Sequence, residues 1–455
     1  MDISFHGAAN EVTGSCHLLK AKDVDGIERK FLIDCGMFQG EQMCSHKNLG
    51  ELGFDPTTLD AVFVTHPHAD HTGRLPKLVR DGYHGKIFMT HPCVGLTKLV
   101  LEDALHIMTE DAEKCGSAVL YEMPDLLRAF ECVEGVSYHQ DLFPAPGITV
   151  RFHDAGHVLG SAYISVEAEG KRVIFSGDIG NDDVPILPKT DPISHADVVV
   201  CESTYGNRIH EPMSERGEKL RAAIDQTITQ KGVLLIPAFS IERTQELLYA
   251  LDRILEHELK TNISIYLDSP MAIKATQLYR DYKNYLRFDS PVLDEEDRDF
   301  FSFKNLHETL SVDASKAIND TPLPKVIIAG SGMMSGGRIM HHLRRYLPDP
   351  KTTLLIIGYQ ATGTIGRQIF NGAKSVNIFG KRVEVKAKVM GIGAFSAHGD
   401  QAKLTRWLHP EDGKMPQKIF LVHGDAEDKT AFATHLRDAL HTEVIIPTLH
   451  SNYTI

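Results

Sequence analysis

VFVTHPHADHTG, residues 62–73, decides how this chain is read: a short apolar run breaks into His66, His68, Asp70 and His71 within six positions. In an extended segment residues two apart face the same side, so His66 and His68 are expected to point at one spot. A turn into a helix would aim Asp70 and His71 at a second spot nearby. Imidazole and carboxylate without thiolate suit Zn²⁺ or Mn²⁺ held for hydrolysis better than a structural cysteine site. The 24 histidines of the chain make some clustering a matter of chance. An HxHxDH pattern directly after an apolar strand has a mechanism behind it, and two adjacent metals are the expectation.

Four ligands do not complete two sites, so others must come from distant strand ends. The sequence offers His157 in DAGHVLGSA, Asp178 in FSGDIG and His423 in LVHGD. A carboxylate such as Asp178 can bridge two metals about 3.5–4 Å apart. Asp34, in FLIDCG, is placed to accept a hydrogen bond from a metal-binding histidine and so orient it.

Around this loop the chain alternates between strand and helix patterns. ISFHGA, HLLKA, KFLIDCG and AVFVTH read as strands separated by turn residues, TGRLPKLVRDG as a helix and KIFMTHP as a strand. RVIFSGDIG and DVVVCESTYG are apolar strands ending in acidic residues. From residue 207 a long helical stretch leads into repeated βα units built on GVLLIPAF, ISIYLDSP, PKVIIAG and TLLIIGY, which suggests an open parallel sheet with its own domain. The length of 455 residues fits that division. The expected domains are 1–206, an inserted 207–372, and 373–455 returning to the first fold.

The opening MDISFHGAAN has no leader pattern, and the apolar runs are too short to span a bilayer, so a cytoplasmic protein with no membrane partner is expected. Seven scattered cysteines, with no CxxC pair, fit reduced thiols rather than disulfides. A formal charge of −13 argues mildly against a nucleic-acid partner, although a basic groove can coexist with an acidic exterior.

Taken together, HxHxDH with the later His157, Asp178 and His423 resembles the metallo-β-lactamase superfamily. ESTYG (202–206), SAHGD around His398 and VHGD around His423 resemble motifs of its β-CASP nucleases, a group that includes RNase J-like enzymes and the endonuclease of pre-mRNA 3′-end cleavage. IPAFSIERTQELL, LDSPMA, GSGMMSGGR and GYQATGTIGR are similar to phrases of the same family, so the likeness runs along essentially the whole chain. The compact prokaryotic RNA-metabolising members are the nearest in layout.

The resemblance implies an α/β architecture: an αββα sandwich with an inserted β-CASP α/β domain. It implies two Zn²⁺ ions, one on His66, His68 and His157, the other on Asp70, His71 and His423, with Asp178 between them. His398 paired with Glu202 would protonate the leaving oxygen. A histidine at position 423 points to RNA, since the DNA-directed branch typically carries valine there. The substrate implied is single-stranded RNA, cut internally or from the 5′ end; a homodimer stays open. Substrate phosphates are expected at the glycine-rich turn of Ser331, Gly332, Ser335 and Arg338, with Arg243 and Arg367 in similar family phrases. His341 and His342 are expected not to be ligands. The competing readings are a DNA-directed β-CASP nuclease, a small ester or thioester hydrolase, and a non-catalytic RNA-binding subunit.

Overall fold

The computed structural model describes residues 1–39, 46–115, 118–182, 184–211, 214–255, 261–287, 299, 301–358, 360, 363–392 and 397–455. The chain divides into two compact units, one made of Met1–Ile209 with His398–Ile455, the other of His210–Ala397.

The first unit contains two seven-stranded sheets. One runs in the order Asn452–Thr454, Asp2–Gly7, Cys16–Lys22, Glu28–Ile33, Ala61–Phe63, Lys86–Thr90, Val133–Val136. The other runs Glu443–Ile445, Lys418–Val422, Val198–Glu202, Lys171–Phe175, Ala162–Ala168, Ile148–Asp154, Asp141–Ala145. Alternation along each strand explains the layering. Phe31, Ile33, Phe63, Phe152, Val198 and Val200 face the space between the sheets and form one buried cluster. Leu32 and Val62 face the other way, against Leu75, Leu78 and Val79 of the helix Leu75–Arg80. On the second sheet, Val199 and Cys201 turn outward to Trp407, Phe432 and Leu436 of the helices Gln401–Trp407 and Ala426–Leu440. Strands buried on both faces must be apolar at every position, which is why DVVVC and AVF show no polar alternation. The result is a helix–sheet–sheet–helix sandwich.

The second unit holds a six-stranded sheet, all parallel, in the order Leu306–Glu308, Ser264–Leu267, Lys325–Ala329, Val233–Pro237, Thr353–Ile356, Lys388–Gly391. Val233, Leu235, Ile327 and Ala329 pack on the helix Ile339–Tyr346, while Leu234, Ile236, Val326 and Ile328 are equally buried on the opposite face. This is the open parallel sheet that the βα repeats suggested. Its end differs from the expected boundary at residue 373. The hairpin Ser375–Ile378 with Lys381–Glu384 and the strand Lys388–Gly391 stay with the second unit, because Lys388–Gly391 pairs in parallel with Thr353–Ile356.

Among the described residues, cysteines 16, 35, 93, 132 and 201 are unbridged; Cys44 lies outside them. Also among the described residues, no helix is long and apolar enough to cross a membrane.

Candidate metal centre

The histidine-rich loop begins earlier than an extended HxH would require. The strand ends at Phe63, His66 lies three residues beyond it, and His68 is the N-cap of the short helix Ala69–Thr72, which carries Asp70 and His71. His66 and His68 are therefore not aligned by strand periodicity; a loop, not a pleat, brings them together. Their ring nitrogens still meet, His66 Nε2 lying 3.0 Å from His68 Nδ1.

The other donors arrive from strand ends of the same unit. His157 follows Ile148–Asp154, Asp178 follows Lys171–Phe175, Glu202 ends Val198–Glu202, and His423 follows Lys418–Val422. His398 is held beside the Asp178 loop by a bridge to Gly180. Two glycines let these loops close. A Cβ on Gly36 would stand 1.5 Å from the Asp70 carbonyl oxygen, and one on Gly180 1.8 Å from that of Gly156. Gly36→Ala is accordingly expected to push the Asp70–His71 helix off the strand end, costing about 1–3 kcal/mol. Urea unfolding and zinc uptake measure it; a variant unchanged in both would mean the loops relax without consequence.

Asp178 is the centre of the arrangement. Its Oδ2 lies 3.4 Å from His66 Nε2 and 3.6 Å from His157 Nε2. Its Oδ1 lies 3.5 Å from His71 Nε2 and 3.7 Å from His423 Nε2. His157 Nε2 is 3.4 Å from His68 Nδ1, and His423 Nε2 is 3.3 Å from Asp70 Oδ2. Around a tetrahedral zinc with bonds of about 2.0–2.1 Å, neighbouring donor atoms sit roughly 3.3–3.4 Å apart. The two sets, His66–His68–His157–Asp178 and Asp70–His71–His423, match that spacing closely enough that each could hold one cation.

Hydrogen bonding around the cluster fixes which nitrogen each ring presents. His71 Nδ1 donates to Asp34 Oδ2 at 2.7 Å. Asp34 also accepts from the Thr65 amide at 2.8 Å and from its hydroxyl at 2.9 Å. With its proton given to Asp34, the Thr65 oxygen accepts from His66 Nδ1 at 3.1 Å. Likewise the Thr204 hydroxyl donates to the His423 carbonyl at 3.2 Å and accepts from His423 Nδ1 at 3.0 Å. In all three rings these bonds place a proton on Nδ1, which leaves Nε2, on the Asp178 side, as the atom available to a cation. His71 Nε2 and Asp178 Oδ1 are buried with no hydrogen-bond partner, which is costly unless a cation fills the gap. Asp34 and His423 adopt positive φ, 59° and 51°, so backbone strain is tolerated to aim these side chains.

The charges are set by the same packing. Burial, reinforced by the neighbouring His71, holds the His66 pKa well below its ordinary value. Burial pushes Asp178 the other way, but His423, His71 and His66 outweigh it and keep the carboxyl ionised. His398 Nδ1 is 3.1 Å from Glu202 Oε2. Burial alone would lower the His398 pKa; Glu202, then Asp178, raise it to about 9. Glu202 is itself oriented by the Ile179 amide, which donates to its Oε1 at 2.6 Å.

Comparisons with known proteins identify the family. Residues 10–89 match the Metallo-beta-lactamase superfamily model, 244–369 the Beta-Casp domain, and 382–447 the Zn-dependent metallo-hydrolase RNA specificity domain. A ribonuclease from Thermus thermophilus is 39% identical over 92% of this chain and 92% of its own length. The chain belongs to the metallo-β-lactamase superfamily, with its Beta-Casp domain. An RNase J-like protein of Methanocaldococcus jannaschii is 31% identical, covering 98% of this chain and 97% of its own. A crystal structure of a protein of unknown function from Enterococcus faecalis superimposes at a TM-score of 0.57 with 11% identity, over 100% of this chain and 99% of that one, which speaks to fold alone. The metallo-β-lactamase superfamily is metal-dependent, and the His/Asp cluster is where this member could hold its metal.

The residues expected to hold phosphate lie in the second unit, where the structure gives several of them other partners. Arg338 donates to Asp268 Oδ1 at 2.7 Å and to the Thr309 and Leu310 carbonyls at 2.8 and 2.7 Å. Arg243 is buried, with Nη1 on Glu246 Oε2 at 2.5 Å. The amides of Met334 and Ile339 bond inside the glycine-rich turn, and the Ser331 and Ser335 hydroxyls pair at 3.2 Å. A Cβ on Gly332 would strike the Phe239 ring at 2.7 Å, so tight packing accounts for that glycine. Arg367 sits on the helix Ile365–Phe370. His342 donates to Asp268 Oδ2 at 2.7 Å, a structural partnership.

Sequence reasoning missed Thr65 and Thr204, the hydroxyls that set the histidine tautomers. Thr65, directly before His66 in VTH, offered a signal; Thr204 in ESTYG has no histidine beside it in the chain and offered none.

Proposed function

We propose that the chain is a zinc-dependent ribonuclease that hydrolyses phosphodiester bonds of single-stranded RNA. The reading rests chiefly on Asp178 standing between two complete donor sets, supported by the ribonuclease names of full-length relatives and by the RNA-specificity domain match. His66, His68 and His157 would hold one Zn²⁺, Asp70, His71 and His423 the other, with Asp178 shared and Mn²⁺ as a substitute. Cations so placed supply Lewis acidity and lower the pKa of water at the scissile phosphate.

The protein's own groups do the rest. Asp34, Thr65 and Thr204 keep lone pairs turned inward, so the donor sets are preorganised before RNA arrives. Glu202 holds the imidazolium of His398 by its Nδ1, leaving Nε2 to give a proton to the departing ribose 3′ oxygen. Water oxygen joins phosphorus as the P–O3′ bond breaks, which yields a 5′-phosphate and a 3′-hydroxyl. The free, largely buried thiols suit a reducing compartment and support a cytoplasmic location.

End-labelled single-stranded RNA with a 5′-hydroxyl, a 5′-phosphate or a circular backbone, run beside DNA of the same sequence and a thioester, tests the reading. RNA should be cut and the other two spared. Cutting of circles identifies internal cleavage, since circles resist only exonucleases. Thioester turnover with intact RNA would remove the ribonuclease reading, and equal cutting of DNA would remove its RNA preference.

A further inference from the structure

A second cluster of ligand-type side chains lies in the first unit and shares no residue with the centre above. His139 comes from the turn after Val133–Val136, His153 from the strand Ile148–Asp154, and Asp191 from the segment leading into Val198–Glu202. One donor atom from each lies within 4.8 Å of the other two. We propose that His139, His153 and Asp191 form a separate site for one divalent cation of the zinc class, and that this cation clamps the segment carrying His157.

The donors are prepared for that role. His153 Nε2 pairs with Ser165 Oγ at 3.0 Å; with Nε2 donating to that oxygen, Nδ1 keeps its lone pair for a cation. Its ring is locked by stacking on Tyr163, with centroids 4.5 Å apart and planes 5° from parallel. Burial lowers the His153 pKa to about 4 against the opposing pull of Asp191, so the ring is neutral near pH 7, as a ligand must be. Asp191 Oδ2 accepts from His139 Nε2 at 2.7 Å and from the Asp154 amide at 2.8 Å. The hydrogen-bonded pair of His139 and Asp191 accounts for two of the three residues, and His153 brings a third donor within reach of both. A cation takes the place of the hydrogen bond between His139 Nε2 and Asp191, the imidazole proton residing on Nδ1 once the metal is bound. Two imidazoles and a carboxylate, without thiolate, select zinc or cobalt over calcium or magnesium.

The clamp follows from where Asp191 is stitched. Its amide donates to the Asp154 carbonyl at 2.9 Å, and Thr190 Oγ1 donates to the Ala155 carbonyl at 3.0 Å. Its own carbonyl accepts from Trp407 Nε1 at 3.1 Å. A Cβ on Gly156 would stand 2.9 Å from the Pro188 carbonyl oxygen, so the two segments run in backbone contact just before His157. Fixing Asp191 to His139 and His153 therefore fixes the approach to His157.

Zinc counting on the whole chain tests the proposal. His139→Ala, at an exposed side chain, and His153→Asn should each bind one equivalent of Zn²⁺ fewer than the unaltered protein. Titration with Co²⁺ should lose one component of its visible absorption in the same two variants, and His68→Ala should lose a different one. Hydrogen exchange at residues 155–161 should slow as the last equivalent binds, and not in His139→Ala. Superimposable Zn²⁺ titrations for the unaltered chain and both variants would overturn the site. Loss of metal in His139→Ala with exchange at 155–161 unmoved would overturn the clamp. Both outcomes are independent of whether RNA is the substrate, because the readout is metal and not turnover.

Discussion

Asp178→Asn is expected to lower RNA cleavage by roughly 10⁴-fold or more while leaving the fold intact, because residues that act as a unit fail together. Asparagine has the shape of aspartate but offers one acceptor where two are needed. Oδ2 faces His66 and His157, and Oδ1 faces His71 and His423. Whichever way the amide turns, its NH₂ confronts one donor set, and the negative charge that the imidazoles surround is gone. Metal content should fall together with activity, whereas the sandwich core, built from Phe31, Phe63, Phe152 and Val200, is untouched. Steady-state cleavage and metal analysis of the same preparation read both effects. A variant that kept its metal and cut RNA normally would show that the two sets do not depend on a shared carboxylate.

His398→Ala is expected to lower kcat by about 10²–10⁴-fold, the usual contribution of a positioned proton donor. Here metal content should stay unchanged, which separates this residue from the ligands. His398 Nδ1 lies nearer to Glu202, at 3.1 Å, than to Asp178, at 3.8 Å. Glu202→Gln should be milder, since the imidazole remains but loses the carboxylate that holds its proton. An RNA with a better leaving group in place of the scissile ribose oxygen should recover much of the loss in His398→Ala. No recovery, or loss of metal in that variant, would reassign His398 to the cation cluster.

Much of this site was legible because its chemistry is concentrated at strand ends. Apolar runs such as RVIF, DVVVC and IFLV announce buried strands, and Asp178, Glu202 and His423 stand just where those runs stop. The parallel sheet of the second unit was visible for the same reason. Where the chain returns was not. KRVEVKAKV reads as strand whichever sheet it joins, and only pairing with Thr353–Ile356 assigns Lys388–Gly391 to the second unit. The roles of the tautomer-setting threonines were hidden because their partners are remote in sequence: Asp34 lies 31 residues from Thr65, and His423 lies 219 residues from Thr204. Arg338 looked like a phosphate ligand because its neighbours in sequence are glycines and serines. Its neighbours in space are Asp268 and two carbonyls.

The first unit is assembled from both ends of the chain: Lys418–Val422 lies beside Val198–Glu202, and Asn452–Thr454 beside Asp2–Gly7. During synthesis, every donor up to Glu202 emerges from the ribosome long before His398 and His423. The nascent polypeptide thus lacks one donor of the second set and the paired His398 until the segment carrying His398 and His423 has been made.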